Sequence, residues 1–344
     1  MKSVKDVAKR AGVSTATVSR VINQSGYVSP ELYQRVTQAI KELGYEANPF
    51  ARGLKVDKSN TIGLIISTIE NPFFATVVRG VESKVYNAGY SLILCNTDNK
   101  PELERMYIQL LRQKRVDGLI ISASGGADEE IAALAEREMP IVLLNRRLRE
   151  HRPCVDAVLS NSREGTRQAI AHLIDFGHQR IGIVSGPKDH LQGAERLAGY
   201  RQAFAEADLP VPPELIFEAP FTAEGGYTGT MVLLQQQPVP TALFVSNNLM
   251  TFGALQAVRE LDCHIPNDLA LISFDDIEWA PFIDPPLSAV AQPAYDIGLT
   301  AAQRILDRLL GQLRGSSEEA VLATKLVIRK SSGAPLKDVE GQIM

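Results

Sequence analysis

The sequence predicts a small all-α domain at the N-terminus, followed by a larger α/β domain that contains two doubly wound parallel sheets. Two short apolar sets at helical spacing flank Gly12 within residues 5–23, and from Thr61 onward short apolar runs alternate with amphipathic stretches. Charge divides the chain in the same place: the first 60 residues carry ten Lys or Arg against five Asp or Glu, although all 344 residues together have a net charge of −4. The first 60 residues are thus basic and the remainder is acidic, which suggests a polyanionic partner for the first 60 residues.

The apolar sets around Gly12 predict a helix, a tight turn and a second helix. Ser14 stands where the N-cap of the second helix belongs. With Val18, Val21 and Ile22 turned inward, small, hydroxylated or cationic side chains remain on or near the outer face. These candidate DNA-binding residues are Ser14, Thr15, Ala16, Thr17, Ser19, Arg20 and Asn23. They suit a DNA major groove, where Arg donates two hydrogen bonds to guanine and Ala or Thr contacts a thymine methyl. A solvated helical hairpin is the alternative.

A third helix is predicted to begin after Ser29, with Pro30 at its first position, and to end near Gly44. Its apolar stripe would cover the first two helices. A second cap-and-proline signal follows at Asn48 and Pro49, but the helix it predicts has barely two turns. Such a helix is marginal alone in water, so we expect it to fold only when another molecule orders it. An ordinary linker helix is the alternative.

From residue 61 the chain predicts strands and helices in alternation, which indicates parallel sheets covered on both faces. The predicted strands are 61–67, 90–95, 118–122, 141–144, 157–160, 181–185, 242–246, 269–274 and 288–291. The predicted organisation is a helix-turn-helix domain at 1–47, a short helix and linker at 48–60, a domain of two interleaved lobes at 61–331, and a tail at 332–344.

Composition and motifs argue against several classes of protein. Hydrophobic residues make up 45% and charged residues 22% of the chain, and neither a membrane-spanning run nor a secretory signal is recognisable, so we expect a cytoplasmic protein that contacts no membrane. Cys95, Cys154 and Cys263 form no CxxC pair, which argues against a disulfide framework and a zinc site. The motifs GxxxxGK, GxGxxG, HExxH and GxSxG are absent, so we expect no catalysis, cofactor or metal.

The segment DVAKRAGVSTATVSRVIN resembles the N-terminal motif of the LacI/GalR family of bacterial transcription regulators. The resemblance extends to about Arg329 through ENPFFATVVRGVESKVYNAGYSLILCNTDN, GHQRIGIVSGP and IPNDLALISFDDIEWAPFIDPPLSAVAQP, and several of these strings are close to those of ribose and purine repressors. The resemblance implies an effector domain similar to periplasmic sugar-binding proteins. It also implies a homodimer on a pseudo-palindromic operator. There the short helix after Asn48 would be a hinge helix, with Leu54 inserted in the minor groove and Arg52 and Lys55 near it.

Most candidate effector-binding residues follow predicted strands, where ligands of doubly wound sheets bind, while Arg196 lies near a predicted helix start and Phe221 in a crossing loop. By the resemblance, Phe73, Arg196, Phe221 and Asp275 match positions that contact effector, and Asn145, Arg146 and Asn247 join them. Carboxylate, amide and guanidinium groups bind sugar hydroxyls, while aromatic rings cover the apolar face of the ring. Each residue has an alternative role: the two Phe could be core residues, Asp275 could cap a turn, and Arg196 could pair with Glu195 or Asp189. Asn248 and Thr251 stand where the family commonly has Asp and Ala.

We therefore expect a transcriptional repressor whose operator affinity is controlled by a small molecule, a sugar by the residues above. A cytoplasmic sugar-binding protein without a transcriptional role is the alternative. A sugar-metabolising enzyme is a third hypothesis.

Overall fold

The computed structural model describes residues 2–23, 25–45, 58–122, 125–148 and 155–333. The chain divides into two compact units between Ser59 and Asn60. The first unit contains α1 (Val4–Ala11), α2 (Thr15–Asn23) and α3 (Pro30–Leu43). As predicted, Ser29 caps α3 by accepting the N–H of Leu32, and Gly44 ends the helix with a φ of 57°. The expected hinge helix, with Arg52, Leu54 and Lys55, lies outside the described residues.

The three helices close around a small apolar core. Val7 of α1, Val18 of α2 and Val36 of α3 are fully buried there. Arg35 of α3 donates from Nη2 to the carbonyl oxygen of Ala11 over 2.7 Å, which satisfies the C-terminal end of α1 just before the turn. The third helix therefore holds the angle between the first two, as its apolar stripe predicts.

The second unit is built from strands and helices in two lobes. Lobe 1 contains β1 (Thr61–Ile66), α4 (Pro72–Asn87), β2 (Ser91–Asn96), α5 (Pro101–Gln113), β3 (Gly118–Ser122), α6 (Asp128–Ala135), β4 (Ile141–Leu144), β5 (Asp156–Ser160), α11 (Ala294–Leu309) and β11 (Glu319–Leu322). Lobe 2 contains α7 (Ser162–Asp175), β6 (Ile181–Ser185), α8 (Leu191–Glu206), β7 (Ile216–Glu218), α9 (Ala223–Leu234), β8 (Ala242–Val245), α10 (Asn248–Glu260), β9 (Ala270–Phe274), β10 (Ser288–Ala291) and β12 (Lys325–Val327).

Each lobe is one six-stranded sheet covered by helices. The strand orders are β11-β5-β4-β3-β1-β2 in lobe 1 and β12-β10-β9-β8-β6-β7 in lobe 2. The chain passes between the lobes three times: after β5, after β10 and after β11. All strand pairs are parallel except β10 with β12, so the expectation of two doubly wound parallel sheets is confirmed apart from this edge strand.

Three edge strands were not predicted from the sequence. β7 and β12 have only three residues each, and β11 alternates between exposed and half-buried side chains. The nine predicted strands are present, each within one or two residues of its predicted bounds. Short edge strands bury little apolar surface, so they leave a weak pattern in the sequence.

Two glycines let α4 and α11 pack closely in lobe 1. A Cβ atom on Gly298 would lie 2.2 Å from the carbonyl oxygen of Val77, and one on Gly80 would lie 2.2 Å from that of Tyr295. The atoms that each added Cβ would meet belong to the backbone of the facing helix, so they cannot move aside as a flexible side chain could. The contact is therefore specific to glycine and holds the helix that returns from lobe 2.

We expect Gly298→Ala to lower the free energy of unfolding by about 1–3 kcal/mol, the usual range for an overpacked core. Urea denaturation measures this directly. Asp296→Ala, on the exposed side of the same helix, is the control and is expected to change the midpoint little. Equal midpoints for Gly298→Ala and the wild type would show that the helices can separate without cost.

Two ion pairs near β5 and β11 differ in burial. Asp156 has 1% of its side chain exposed and accepts from Arg308 at 2.7 and 2.8 Å, as well as from the backbone N–H of Glu318 at 2.9 Å. Arg147 and Glu319 also form a two-bond pair, but their side chains are 45% and 44% exposed. The buried pair fixes the segment that leads from α11 into β11.

Candidate functional site

The exposed face of α2 is the candidate DNA interface. Thr15, Ala16 and Arg20 are exposed, whereas Val18 and Val21 are buried against the other helices. Ser14 caps the helix as predicted: its Oγ accepts the N–H of Thr17 at 3.1 Å.

The remaining predicted DNA contacts occupy other positions on or near α2. Thr17 and Ser19 are half-buried, and the hydroxyls of Ser14 and Thr17 lie 2.9 Å apart. Asn23 is the last residue of α2, and its side chain is outside the described part. The structure thus leaves Thr15, Ala16 and Arg20 as the outward side chains of the first two turns.

A cleft lies between the two lobes at the carboxyl ends of their strands. The empty space in it is about 980 Å³ when the part that is open to solvent is included. All seven predicted effector-binding residues line it, namely Phe73, Asn145, Arg146, Arg196, Phe221, Asn247 and Asp275. The structure therefore brings these seven side chains to one place, while their role in binding stays a prediction.

Arg196 of α8 is a buried cation in this cleft. Its side chain donates from Nη1 to the carbonyl oxygen of Ser246, and its Cζ lies 3.7 Å from the ring centre of Phe274 and 5.7 Å from that of Phe221. Burial lowers the pKa of Arg196 to about 10, so it is still charged at neutral pH. Its Nε is buried without a hydrogen-bond partner in the described part of the chain. A surface pair with Glu195 or Asp189 does not fit this burial.

Asp275 provides a carboxylate on the same side of the cleft. It follows β9 with a left-handed φ of 74° and accepts from Nε2 of Gln292. Burial raises the pKa of Asp275, and the charge of Arg196 opposes this shift. The adjacent Asp276 points elsewhere and forms a two-bond pair with Arg329 at 2.7 and 2.8 Å. The two neighbouring carboxylates thus have separate partners.

Three amide side chains connect the lobes at the cleft. Asn145 accepts the N–H of Ser160 at 2.8 Å and donates to Oε1 of Gln292 at 3.1 Å, while Gln192 donates to the carbonyl oxygen of Asn145 at 3.0 Å. Both polar atoms of the Asn145 amide are therefore engaged within the protein. Gln192 and Gln292 were missed in the sequence, although Gln292 directly follows β10 and Gln192 lies one helical turn before Arg196.

Arg146 lines the cleft with its guanidinium held by two acidic groups. Nη1 lies 3.1 Å from Oε1 of Glu104, and Nη2 bonds to Asp128. Glu104 is fully buried and Arg146 is 8% exposed. Removal of the arginine would leave buried carboxylates without their cation, so part of its importance is structural.

The aromatic residues of the cleft also contact the cores of their lobes. Phe73 packs against the lobe 1 core and meets Phe74 edge to face at 5.2 Å, and Phe221 packs against the core of lobe 2. Both rings nevertheless border the cleft, so a core position and a cleft position coexist. Within the described ranges, no group of three or more His, Cys, Asp or Glu could hold a metal ion. No helix there is long and apolar enough to cross a membrane.

Comparison with known proteins matches both units. Residues 3–48 match the model of bacterial regulatory proteins of the lacI family, and residues 170–332 match the periplasmic binding protein-like domain. The chain is 39% identical to the HTH-type transcriptional repressor PurR of Klebsiella pneumoniae (strain 342) over 332 residues, which cover 96% of this chain and 97% of the relative.

Solved structures show the same fold. The lac repressor dimer bound to operator and the anti-inducer ONPF is 29% identical and superposes with a TM-score of 0.82, covering 96% of this chain and 99% of that one. A complex of the transcriptional regulator CelR with cellobiose is 32% identical, with a TM-score of 0.74 and coverage of 96% and 100%. The similarity therefore spans the N-terminal unit and both lobes of the second unit. The chain belongs to the lacI family of bacterial regulatory proteins.

Proposed function

We propose that this chain is a cytoplasmic transcriptional repressor that binds a pseudo-palindromic operator as a homodimer and responds to a sugar in the cleft. The proposal rests on two features that occur in one chain. The exposed face of α2 carries Thr15, Ala16 and Arg20. The cleft holds a buried cation, Arg196, and a buried carboxylate, Asp275. PurR and the lac repressor are named as repressors, and the solved structure of the transcriptional regulator CelR is a complex with cellobiose. These similarities favour a regulator over a sugar-binding protein without a transcriptional role or an enzyme.

The chemistry of the cleft favours a ligand with several hydroxyl groups. Arg196 has an unused buried N–H, and Asp275 accepts hydrogen bonds. Together they can bind the oxygen and hydroxyl groups of one sugar ring. The rings of Phe73 and Phe221 border the same space and can cover the apolar C–H face of the sugar. We infer that Arg196 and Asp275 orient the ligand and that the amides of Asn145 and Gln292 join the lobes around it.

Exposed apolar side chains support the dimer. In lobe 1, Leu94 lies on the edge strand β2 and Met106 and Leu110 lie on α5; in lobe 2, Trp279 and Phe282 are 44% and 85% exposed. Large exposed apolar side chains in such number mark interaction surfaces. The partner we propose is a second copy, because a pseudo-palindrome requires two reading helices related by symmetry.

Control by the ligand requires that the open and closed forms of the cleft differ in their affinity for the ligand. A ligand that binds one form about 100-fold more tightly supplies about 2.7 kcal/mol to the form it favours. In the proposed mechanism, closure of the lobes changes the separation of the two linkers in the dimer and thereby the ordering of the hinge segments. The predicted roles of Arg52, Leu54 and Lys55 belong to this step.

Two measurements on the full chain test the proposal. Thermal-shift screening with a panel of sugars and purines identifies a cleft ligand, because any ligand of the folded state raises Tm by mass action. Fluorescence anisotropy with selected palindromic duplexes and with random duplexes then measures operator affinity with and without that ligand. We expect a palindrome to bind at least about 10³-fold more tightly than random DNA. A protein that binds all duplexes equally, with and without every compound of the panel, would refute the proposal.

Arg20→Ala is expected to lose about 1–3 kcal/mol of discrimination at one G·C pair of the operator, since arginine donates two hydrogen bonds to guanine. Binding to random DNA should keep most of its salt dependence, because phosphate contacts by other residues remain. Lys41→Ala, an exposed cation of α3, serves as the control and should leave base preference intact. Equal loss of affinity on every duplex would mean that Arg20 contacts phosphate.

A further inference from the structure

Two buried asparagines, Asn71 and Asn248, form a second contact between the lobes. Asn71 precedes α4 in lobe 1, and Asn248 begins α10 in lobe 2. Nδ2 of Asn248 donates to Oδ1 of Asn71 over 2.8 Å, and the two residues are 4% and 6% exposed, respectively. The contact therefore joins the lobes directly and is shielded from water.

The direction of this hydrogen bond is set by local structure. Oδ1 of Asn71 also accepts the backbone N–H of Phe73 at 2.9 Å and so caps α4. Since the cap needs an oxygen at that place, the Asn71 amide cannot turn its NH₂ group toward lobe 2 without losing the cap. Asn71 is consequently the acceptor, and position 248 has to supply a donor.

Asn248 also contacts the carboxylate of Asp275. Its backbone N–H donates to Asp275, while its side chain reaches the start of the helix that carries Phe73. One residue thus connects a group on the lobe 2 wall of the cleft with an aromatic ring on the lobe 1 wall. The segment from Asn247 to Asn248 is rigid because Oδ1 of Asn247 caps α10 by accepting the N–H of Met250 at 2.7 Å.

We propose that Asn248 is a positioning residue that closes the cleft by donating its side-chain amide to Asn71, and that this bond sets the balance between the open and closed lobes. The inference rests on the proposed function in one respect, namely that lobe closure is the motion to which the effector couples. The closure itself requires neither effector nor DNA. It can therefore be measured separately from both.

A reciprocal pair of isosteric substitutions tests the direction of the bond. Asn71→Asp keeps an oxygen that accepts from both Phe73 and Asn248, so the closed form should persist. Asn248→Asp places a second acceptor against Oδ1 of Asn71, so the open form should gain at least about fivefold, the change that corresponds to one net hydrogen bond of about 1 kcal/mol. The two variants add the same charge and differ in volume by almost nothing, but only Asn248→Asp is expected to open the lobes.

The readout is the distance between spin labels at position 100 in lobe 1 and position 188 in lobe 2, where the native Lys100 and Lys188 side chains are 55% and 78% exposed. The labels are attached to cysteines in a full chain whose three native Cys are replaced by Ser, and pulsed electron–electron double resonance is recorded without ligand. Asn248→Ala separates loss of the donor from repulsion between a new carboxylate and Asp275, because it removes the donor without adding charge. We expect it to populate the longer distance as well. Urea midpoints show whether each variant is folded.

Three results would overturn the inference. The first is a chain with Asn248 intact that shows only the longer distance. The second is a folded Asn248→Asp or Asn248→Ala variant whose distances equal those of the unmodified chain. The third is opening of the lobes by Asn71→Asp to the same extent as by Asn248→Asp. None of these results depends on operator binding, so failure here and failure of the proposed function are distinguishable.

Discussion

Asp156→Ala is expected to lower the free energy of unfolding by about 3–5 kcal/mol, because it leaves Arg308 in a largely buried place without its counter-charge. Asp156 is 1% exposed and accepts three hydrogen bonds, two from Arg308 and one from the N–H of Glu318. Loss of the carboxylate also frees the segment that leads into β11. Urea denaturation followed by circular dichroism measures the effect.

Glu319→Ala provides a matched comparison, since it breaks the Arg147–Glu319 pair in the same lobe. Both side chains of that pair are more than 40% exposed, and exposed pairs contribute about 0–1 kcal/mol. We therefore expect a small change in the urea midpoint. If the two alanine variants were equally destabilised, burial would not explain the contribution of the Asp156 pair.

Arg196→Met is expected to weaken binding of the cleft ligand about 10- to 150-fold, which corresponds to the loss of a hydrogen bond from a charged group of about 1.5–3 kcal/mol. Methionine has a similar length and can still pack on the ring of Phe274, so the fold should persist. The ligand is whichever sugar raises Tm of the unmodified protein in the panel described above. Isothermal titration calorimetry with that sugar measures its Kd.

Arg201→Met serves as the control for Arg196→Met. Arg201 lies on the same helix, α8, with its side chain exposed to solvent, so the substitution removes a cation without reaching the cleft. We expect unchanged affinity for the sugar. An Arg196→Met variant that binds the sugar as tightly as the Arg201→Met variant would show that Arg196 does not contact the ligand.

The local parts of the fold were predictable because local physics produces them. Ser14 and Ser29 are caps in the structure as in the sequence, and Asp275 lies in the cleft, as its place directly after a strand predicts. These predictions depend on the neighbours of each residue in the chain. They need no information on the partners that lie far away.

Long-range partners explain what the sequence did not reveal. Nothing near Arg146 indicates that Glu104 and Asp128 hold its guanidinium, and nothing near Asn71 indicates a bond to Asn248, which lies 177 residues away. The strand β12 was missed for a local reason, because its three residues bury too little apolar surface to leave a pattern in the sequence. The identity of cleft residues was therefore easier to predict than the contacts each one makes.

The threefold passage of the backbone between the lobes has a consequence for attempts to divide this protein. The edge strand β11 of lobe 1 is encoded after all of lobe 2 except β12, and β12 of lobe 2 follows it. No uninterrupted stretch of the gene therefore specifies either lobe alone. A truncation that ends before β11 would expose the edges of both sheets at once, whereas a permuted gene that joins the separated pieces of one lobe could yield it as an independent protein.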